Sequence, residues 1–286
     1  MNSRRWAGLG VIVLAAALTA LMGAGRAFAQ EKAAAPVSAA PVAGTTAQPI
    51  EVTASGGIEW DRNAHTYTAR SDARAVRGDL SVDADTLIAR YRDDQTGGTE
   101  IYKLEAVGNV RMVSGSTVVT GGRVDYDVVA RGATVTGGNL KLTTANEVVT
   151  ARDRMEYSDR NHQATAIGNV VVVSQGRRIE ADRLTALLAP DSSGKLQVTN
   201  VEATGSVRIA TEKEYATADW GSYDVARQFA VLKGNVKVTQ EQNQLNGEYA
   251  EVDMKNGVSR MFAAPPGEHG GRVKGLVLPG AAPGGS

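Results

Sequence analysis

The sequence predicts an all-β fold: an elongated, open-ended sandwich of consecutive antiparallel strands contributing to two facing sheets. Three observations carry this. Residues 50–263 alternate Val, Ile, Thr and Tyr with polar residues, and Pro190 is the only proline among them. Two short patterns recur in alternation along that stretch. The turns between repeats, such as Ser174-Gln175-Gly176-Arg177, Ser158-Asp159-Arg160-Asn161 and Lys255-Asn256-Gly257, suit antiparallel neighbours, whereas parallel strands need a long crossover.

In chain order, residues 1–29 read as an export signal. Arg4 and Arg5 precede an apolar run from Ala7 to Ala24, and Ala27-Phe28-Ala29 forms a cleavage site before Gln30. The mature chain is expected in the periplasm, beginning at Gln30. Cleavage removes Arg4, Arg5 and Arg26 and no acid, leaving 28 basic against 31 acidic residues. Residues 30–49 are an Ala/Pro-rich linker, and the Pro/Gly-rich residues 264–286 read as a disordered tail.

The first repeat is small-x-Gly-Asn-Val-x-Val. It appears at Ala106–Met112, Ala166–Val172, Ala203–Ile209 (with Ser206 for Asn) and Leu232–Val238, with weaker copies at Val76–Leu80 and Thr136–Leu140. The second is small-Asp-x-apolar-x-small-Tyr, with copies starting at 84, 121, 151, 181, 218 and 247. The two longer steps hold insertions, Asp93–Gly98 and Pro190–Lys195, which read as extended hairpin tips. At about 15 residues per strand the domain would hold roughly 14 strands, longer than the usual 5–6 residues. Glycine inside a strand marks a bend or bulge, so each strand is expected to kink at its middle and feed both sheets.

By the two-residue period, Val110/Met112, Val170/Val172, Val207/Ile209 and Val236/Val238 share one face, while Arg111, Arg208 and Lys237 take the other. Leu87, Val124 and Leu184 face inward in the second repeat. Large fillers are scarce, with three Phe and three Trp in the chain. Such a stripe either fills a core or lines an apolar groove. The candidate groove residues are Leu87, Val110, Met112, Val124, Val170, Val172, Leu184, Val207, Ile209, Val236 and Val238.

The residue inventory argues against catalysis. The chain has no cysteine, and His65, His162 and His269 lie far apart without metal-ligand spacing. Nucleophile-elbow, phosphate-loop, zincin and EF-hand patterns are missing from the sequence. The acids Asp83/Asp85, Asp125/Asp127 and Asp224 recur at repeat positions, which fits strand or turn sites better than a glycosidase pair. Zero net charge over the whole chain offers no footprint for nucleic acid. No enzyme activity, metal or cofactor is expected.

The export signal, the Gly-Asn-Val-x-Val repeats, the interleaved Ala-Asp-x-Leu-x-Ala-x-Tyr segment and the extended tips together resemble the OstA-like family over residues 50–263. The resemblance implies a β-jellyroll open at both ends. It implies units stacked head to tail as a bridge between inner and outer membranes, with the acyl chains of lipid A in a hydrophobic groove. The implied partners are lipopolysaccharide, the inner- and outer-membrane components of that bridge, and further copies of the chain. Two other readings stand beside it: a polysaccharide-active or structural β-solenoid, and a membrane-anchored sister component of the same transport system. The Ala-x-Ala site favours the soluble component over the anchored one.

Overall fold

The computed structural model describes residues 50–276, apart from 94–97, 193, 195, 213 and 269. The export signal, the linker, His269, parts of both tips and residues 277–286 lie outside the described residues. The described chain is all β. In order, its strands are β1 (Glu51–Thr53), β2 (Ile58–Asp61), β3 (Thr66–Arg77), β4 (Leu80–Asp93), β5 (Thr99–Ser114), β6 (Thr117–Asp127), β7 (Gly132–Thr136), β8 (Lys141–Thr143), β9 (Glu147–Thr150), β10 (Arg154–Ser158), β11 (Gln163–Ser174), β12 (Arg177–Pro190), β13 (Leu196–Ala210), β14 (Glu214–Asp224), β15 (Phe229–Gln240), β16 (Asn243–Asp253), β17 (Val258–Phe262) and β18 (Lys274–Leu276).

Neighbours in sequence pair antiparallel from β2 to β7 and again from β11 to β17. That pairing excludes a parallel solenoid over these strands. The chain divides into two compact units. Among the described residues, the N-terminal unit holds 50–140 and 156–161, and the C-terminal unit holds 141–155 and 162–276.

The two repeats build one device, a corner in the middle of each long strand. The ladders slip at Val107/Val110, Ile167/Val170, Thr204/Val207 and Lys233/Val236. Gly108-Asn109, Gly168-Asn169, Gly205-Ser206 and Gly234-Asn235 all take φ between 43° and 88° there. Two consecutive left-handed residues bend the strand, and Gly and Asn tolerate that conformation best. Each corner also holds the aspartate of the second repeat. A Cβ on Gly108, Gly168, Gly205 or Gly234 would overlap Asp85, Asp153, Asp182 or Asp219 respectively. Asn109 Nδ2 donates to Asp85 at 3.0 Å, and Asn235 Nδ2 donates to Asp219 at 2.7 Å. The Gly-Asn ladder is therefore bend geometry, with the Asp as its clasp.

Acids also close the turns at the far ends of the strands. Asp61, Asp127, Asp224 and Asp253 accept from the N–H of Ala64, Ala130, Arg227 and Asn256, at 2.7–2.9 Å. At the near ends, two-residue turns such as Gln175-Gly176, with φ 45° and 77°, join the strands. Both central residues at positive φ match the right-handed twist of a hairpin.

Each corner splits its strand between two half-sheets. The first half-sheet holds the segments before a Gly-Asn corner and after an Ala-Asp corner; the second holds the rest. In the C-terminal unit they meet face to face. Ile179, before the corner of β12, packs against the cluster of Tyr223, after the corner of β14, and Ala230, before the corner of β15.

Three expectations need correcting. The described strands number 18, because both ends and the stretch 132–158 are built of strands of three to five residues. Residues 274–276, inside the tail read as disordered, form β18, in register with Gln244–Asn246 of β16. Its three residues, one of them Gly275, carry too little pattern to stand out from a Pro/Gly-rich composition. A corner also forms at Ser71-Asp72, with φ 63° and 48°, where no Gly-Asn pair announces it.

An apolar cavity in the N-terminal unit

Between the half-sheets of the N-terminal unit lies a cavity of about 380 Å³. That is a size typical of ligand pockets. Ala75, Leu80, Val82 and Met112 form one wall from the second half-sheet; Tyr67, Leu87, Ala89, Leu104, Val124 and Tyr126 form the other from the first. Val52 and Ile58 of the two edge strands, and Ile50 before them, complete it. The walls alternate with outward residues such as Arg74, Asp83 and Arg111, so the two-residue period alone places these side chains inside.

Aromatic side chains stand along one wall. Trp60 stacks on Tyr67 with centroids 5.5 Å apart, and Tyr67 lies 5.1 Å from Tyr91. Trp60 Nε1 donates to the Tyr91 hydroxyl at 2.8 Å. Burial raises the Tyr67 and Tyr126 phenols above their ordinary range. Both stay neutral at physiological pH, as an apolar chamber requires.

Glu105 is the one acidic lining residue among the described residues. It is 5% exposed and ringed by cations: Lys103 at 2.8 Å, Arg90 at 3.1 Å and Arg123 at 3.3 Å. Burial opposes its ionisation, but hydrogen bonds from Lys103 and Arg90 outweigh burial and hold the carboxyl below the usual range. Asp125, bonded first by Arg123 and then by Lys103, is held down as well. The cluster is a closed ion network on the strands. No group of acids or histidines that could hold a metal is found among the described residues.

The eleven candidate groove residues fall into three sets. Leu87, Met112 and Val124 line the cavity. Val110, Val170, Val172, Leu184, Val207 and Val236 are buried, and Val207 and Val236 pack with Ala181, Ala203, Ala218, Leu232 and Ala250 at the corner of the C-terminal unit. Ile209 and Val238 are partly buried against that cluster. Sequence reasoning passed over the edge residues Val52 and Ile58 and the second-half-sheet residues Ala75, Leu80 and Val82. Their signal was the same period-two alternation, carried through strands without a Gly-Asn pair.

Residues 149–258 match the family described as LptA/(LptD N-terminal domain) LPS transport protein. An uncharacterised protein of Rhizobium meliloti (strain 1021) is 26% identical over 140 residues, 47% of this chain and 73% of the relative. A crystal structure of LptH, described as the LptA-homologous periplasmic component of the lipopolysaccharide transport device of Pseudomonas aeruginosa, aligns with 46% of this chain and 95% of its own. The identity is 21% and the TM-score 0.40. Residues 149–258, under half of the chain, are thus similar to the LptA/(LptD N-terminal domain) family of lipopolysaccharide transport proteins.

Proposed function

We propose that the chain is a periplasmic carrier that holds lipopolysaccharide by its acyl chains in the N-terminal cavity and hands it along a bridge between the membranes. The observation that carries this reading is the cavity itself: about 380 Å³, walled by aliphatic and aromatic side chains on two half-sheets. An acyl chain of a dozen or so methylenes would gain roughly 10 kcal/mol on leaving water, at about 0.8 kcal/mol per CH₂ and before ordering costs. Contacts of this kind are non-directional, so a chain can slide without any bond being made or broken. Transport then needs no cofactor and no covalent step.

Bridging calls for head-to-tail stacking, and exposed edge strands are templates for another strand. A heterologous contact that does not close gives rods of growing length. The reading is tested by purifying the mature chain from cells and analysing it by mass spectrometry. Lipid A should co-purify with it. Ala89→Phe, which fills the chamber, should lower the lipid recovered several-fold at unchanged thermal stability. Equal recovery from both would remove the cavity as the carrier site.

A further inference from the structure

The chamber of the N-terminal unit has an open end and a closed end. It crosses the strands from the edge inward. Its first-half-sheet wall takes Ile58 from β2, Tyr67 from β3, Ala89 from β4, Leu104 from β5 and Val124 from β6, and these strands pair in that order. At the edge, Ile58 is 56% exposed and Val52 39%. At β6 that exposure is gone: Val119, Val124 and Tyr126 are at most 6% exposed. Strand β7 seals this end. Val135 and Ala133 lie in register with Val124 and Tyr126, and both are buried. Val135 also fills the space over Gly121, where an added Cβ would lie 2.6 Å from it, and Leu140 stands beside it.

Two measures of capacity agree. A methylene takes about the room of a water molecule, roughly 30 Å³, so about 380 Å³ holds about 13 methylenes. Four inter-strand steps of about 4.8 Å separate β2 from β6, a run of about 19 Å. An extended chain of single C–C bonds of about 1.5 Å advances roughly 1.3 Å per carbon, so about 15 carbons span that run.

We propose that the chamber is a blind pocket for one acyl chain of about 13–15 carbons, entered and left only at the β1–β2 edge. This rests on the acyl-carrier reading above and narrows it. Two chains abreast do not fit, so one chain of the cargo is gripped and the others stay outside this cavity. Such a pocket measures its ligand. Each methylene that enters is removed from water, and each one beyond the capacity of the pocket stays in it.

The test is isothermal titration of the mature full chain, stripped of bound lipid, with a series of straight-chain saturated fatty acids, each below its micelle concentration. Affinity should rise about fourfold per added methylene up to about 13–15 carbons and then level off, at one chain per protein. Ala89→Phe, shown to be folded by circular dichroism, should move the levelling point to a chain several carbons shorter. Affinity that keeps rising to about 18 carbons at that same slope, or two chains per protein that are both lost in Ala89→Phe, overturns the blind pocket and leaves the acyl-carrier reading intact. A levelling point that does not move in Ala89→Phe puts the chain elsewhere and overturns both. Absence of binding at every length also overturns both.

Discussion

The two units share one corner device and differ in what lies between their walls. In the C-terminal unit Val207 and Val236 are 1% exposed, and Ile179 of one half-sheet packs against the cluster of Tyr223 and Ala230 on the other. In the N-terminal unit the apex is equally closed by Val110 and Val135, but away from it a chamber stays open. The aromatics account for part of the difference. Tyr91 is tied to Trp60 by a hydrogen bond and Tyr67 is stacked on the same indole, so both rings are held along the wall. Tyr223 has no such tether among the described contacts and packs against the opposite half-sheet. One repeat pattern can thus bring its half-sheets into contact through large side chains, as around Tyr223, or leave a cavity between them, as in the N-terminal unit. The family match covers 149–258, whereas the cavity is built from residues 50–126.

The largest expected effect is in the filled unit. Val207→Asp sets an unpaired charge in a closed core and should cost at least about 4 kcal/mol, measured by urea unfolding, with loss of that unit's fold. Next comes the ion network of the other unit. Glu105→Leu leaves Arg90, Lys103 and Arg123 around a missing acid and should cost about 1–3 kcal/mol, less than a fully buried pair because the cations are partly exposed. The same network predicts a pH response. Glu105 and Asp125 have lowered pKa values when folded, so their stabilisation is complete above the unfolded carboxylate range. It is lost as pH falls below about 4, through the depressed values. Acid titration followed by Trp60 fluorescence should show the N-terminal unit weakening in that window, and Glu105→Leu should flatten the response.

The corners should not distinguish the units. Gly108→Ala and Gly234→Ala each force a side chain to positive φ and into an aspartate, and should cost a similar amount of about 1–3 kcal/mol. Part of that cost should return in the Asp85→Ala or Asp219→Ala background, as a thermal-unfolding cycle would measure. The smallest effects are on the outer face and in the chamber. Arg208→Asp should stay within about 0.5 kcal/mol. Ala89→Phe should stay within about 1 kcal/mol, because the added ring enters open space instead of a packed core.

Much of the fold was legible because the repeats state their own geometry. Gly168-Asn169 at mid-strand meant a bend, and Gln175-Gly176 meant a tight hairpin turn. The aspartate that clasps each corner was harder to read, since Asp182 meets Gly205 only through the pairing register, 23 residues apart in the chain. Which inward residues face open space was not legible at all. Met112 and Val172 hold the same place in the same repeat and are both buried, yet Met112 lines the cavity of the N-terminal unit. Alternation assigns a side chain to a face; the gap behind that face depends on the opposite half-sheet and on tethers such as Trp60 to Tyr91, which join residues far apart in sequence.

Site-specific photo-crosslinking bears most directly on the claim that the N-terminal unit carries the lipid. A photoreactive residue would be placed in turn at 89 and 112 in the cavity wall, at 207 and 236 in the closed core, and at 208 and 237 on the outer face. The carrier account predicts lipopolysaccharide adducts at 89 and 112 and none at the other four. Adducts at 207 and 236 equal to those at 89 and 112, or labelling of both faces alike, would contradict it.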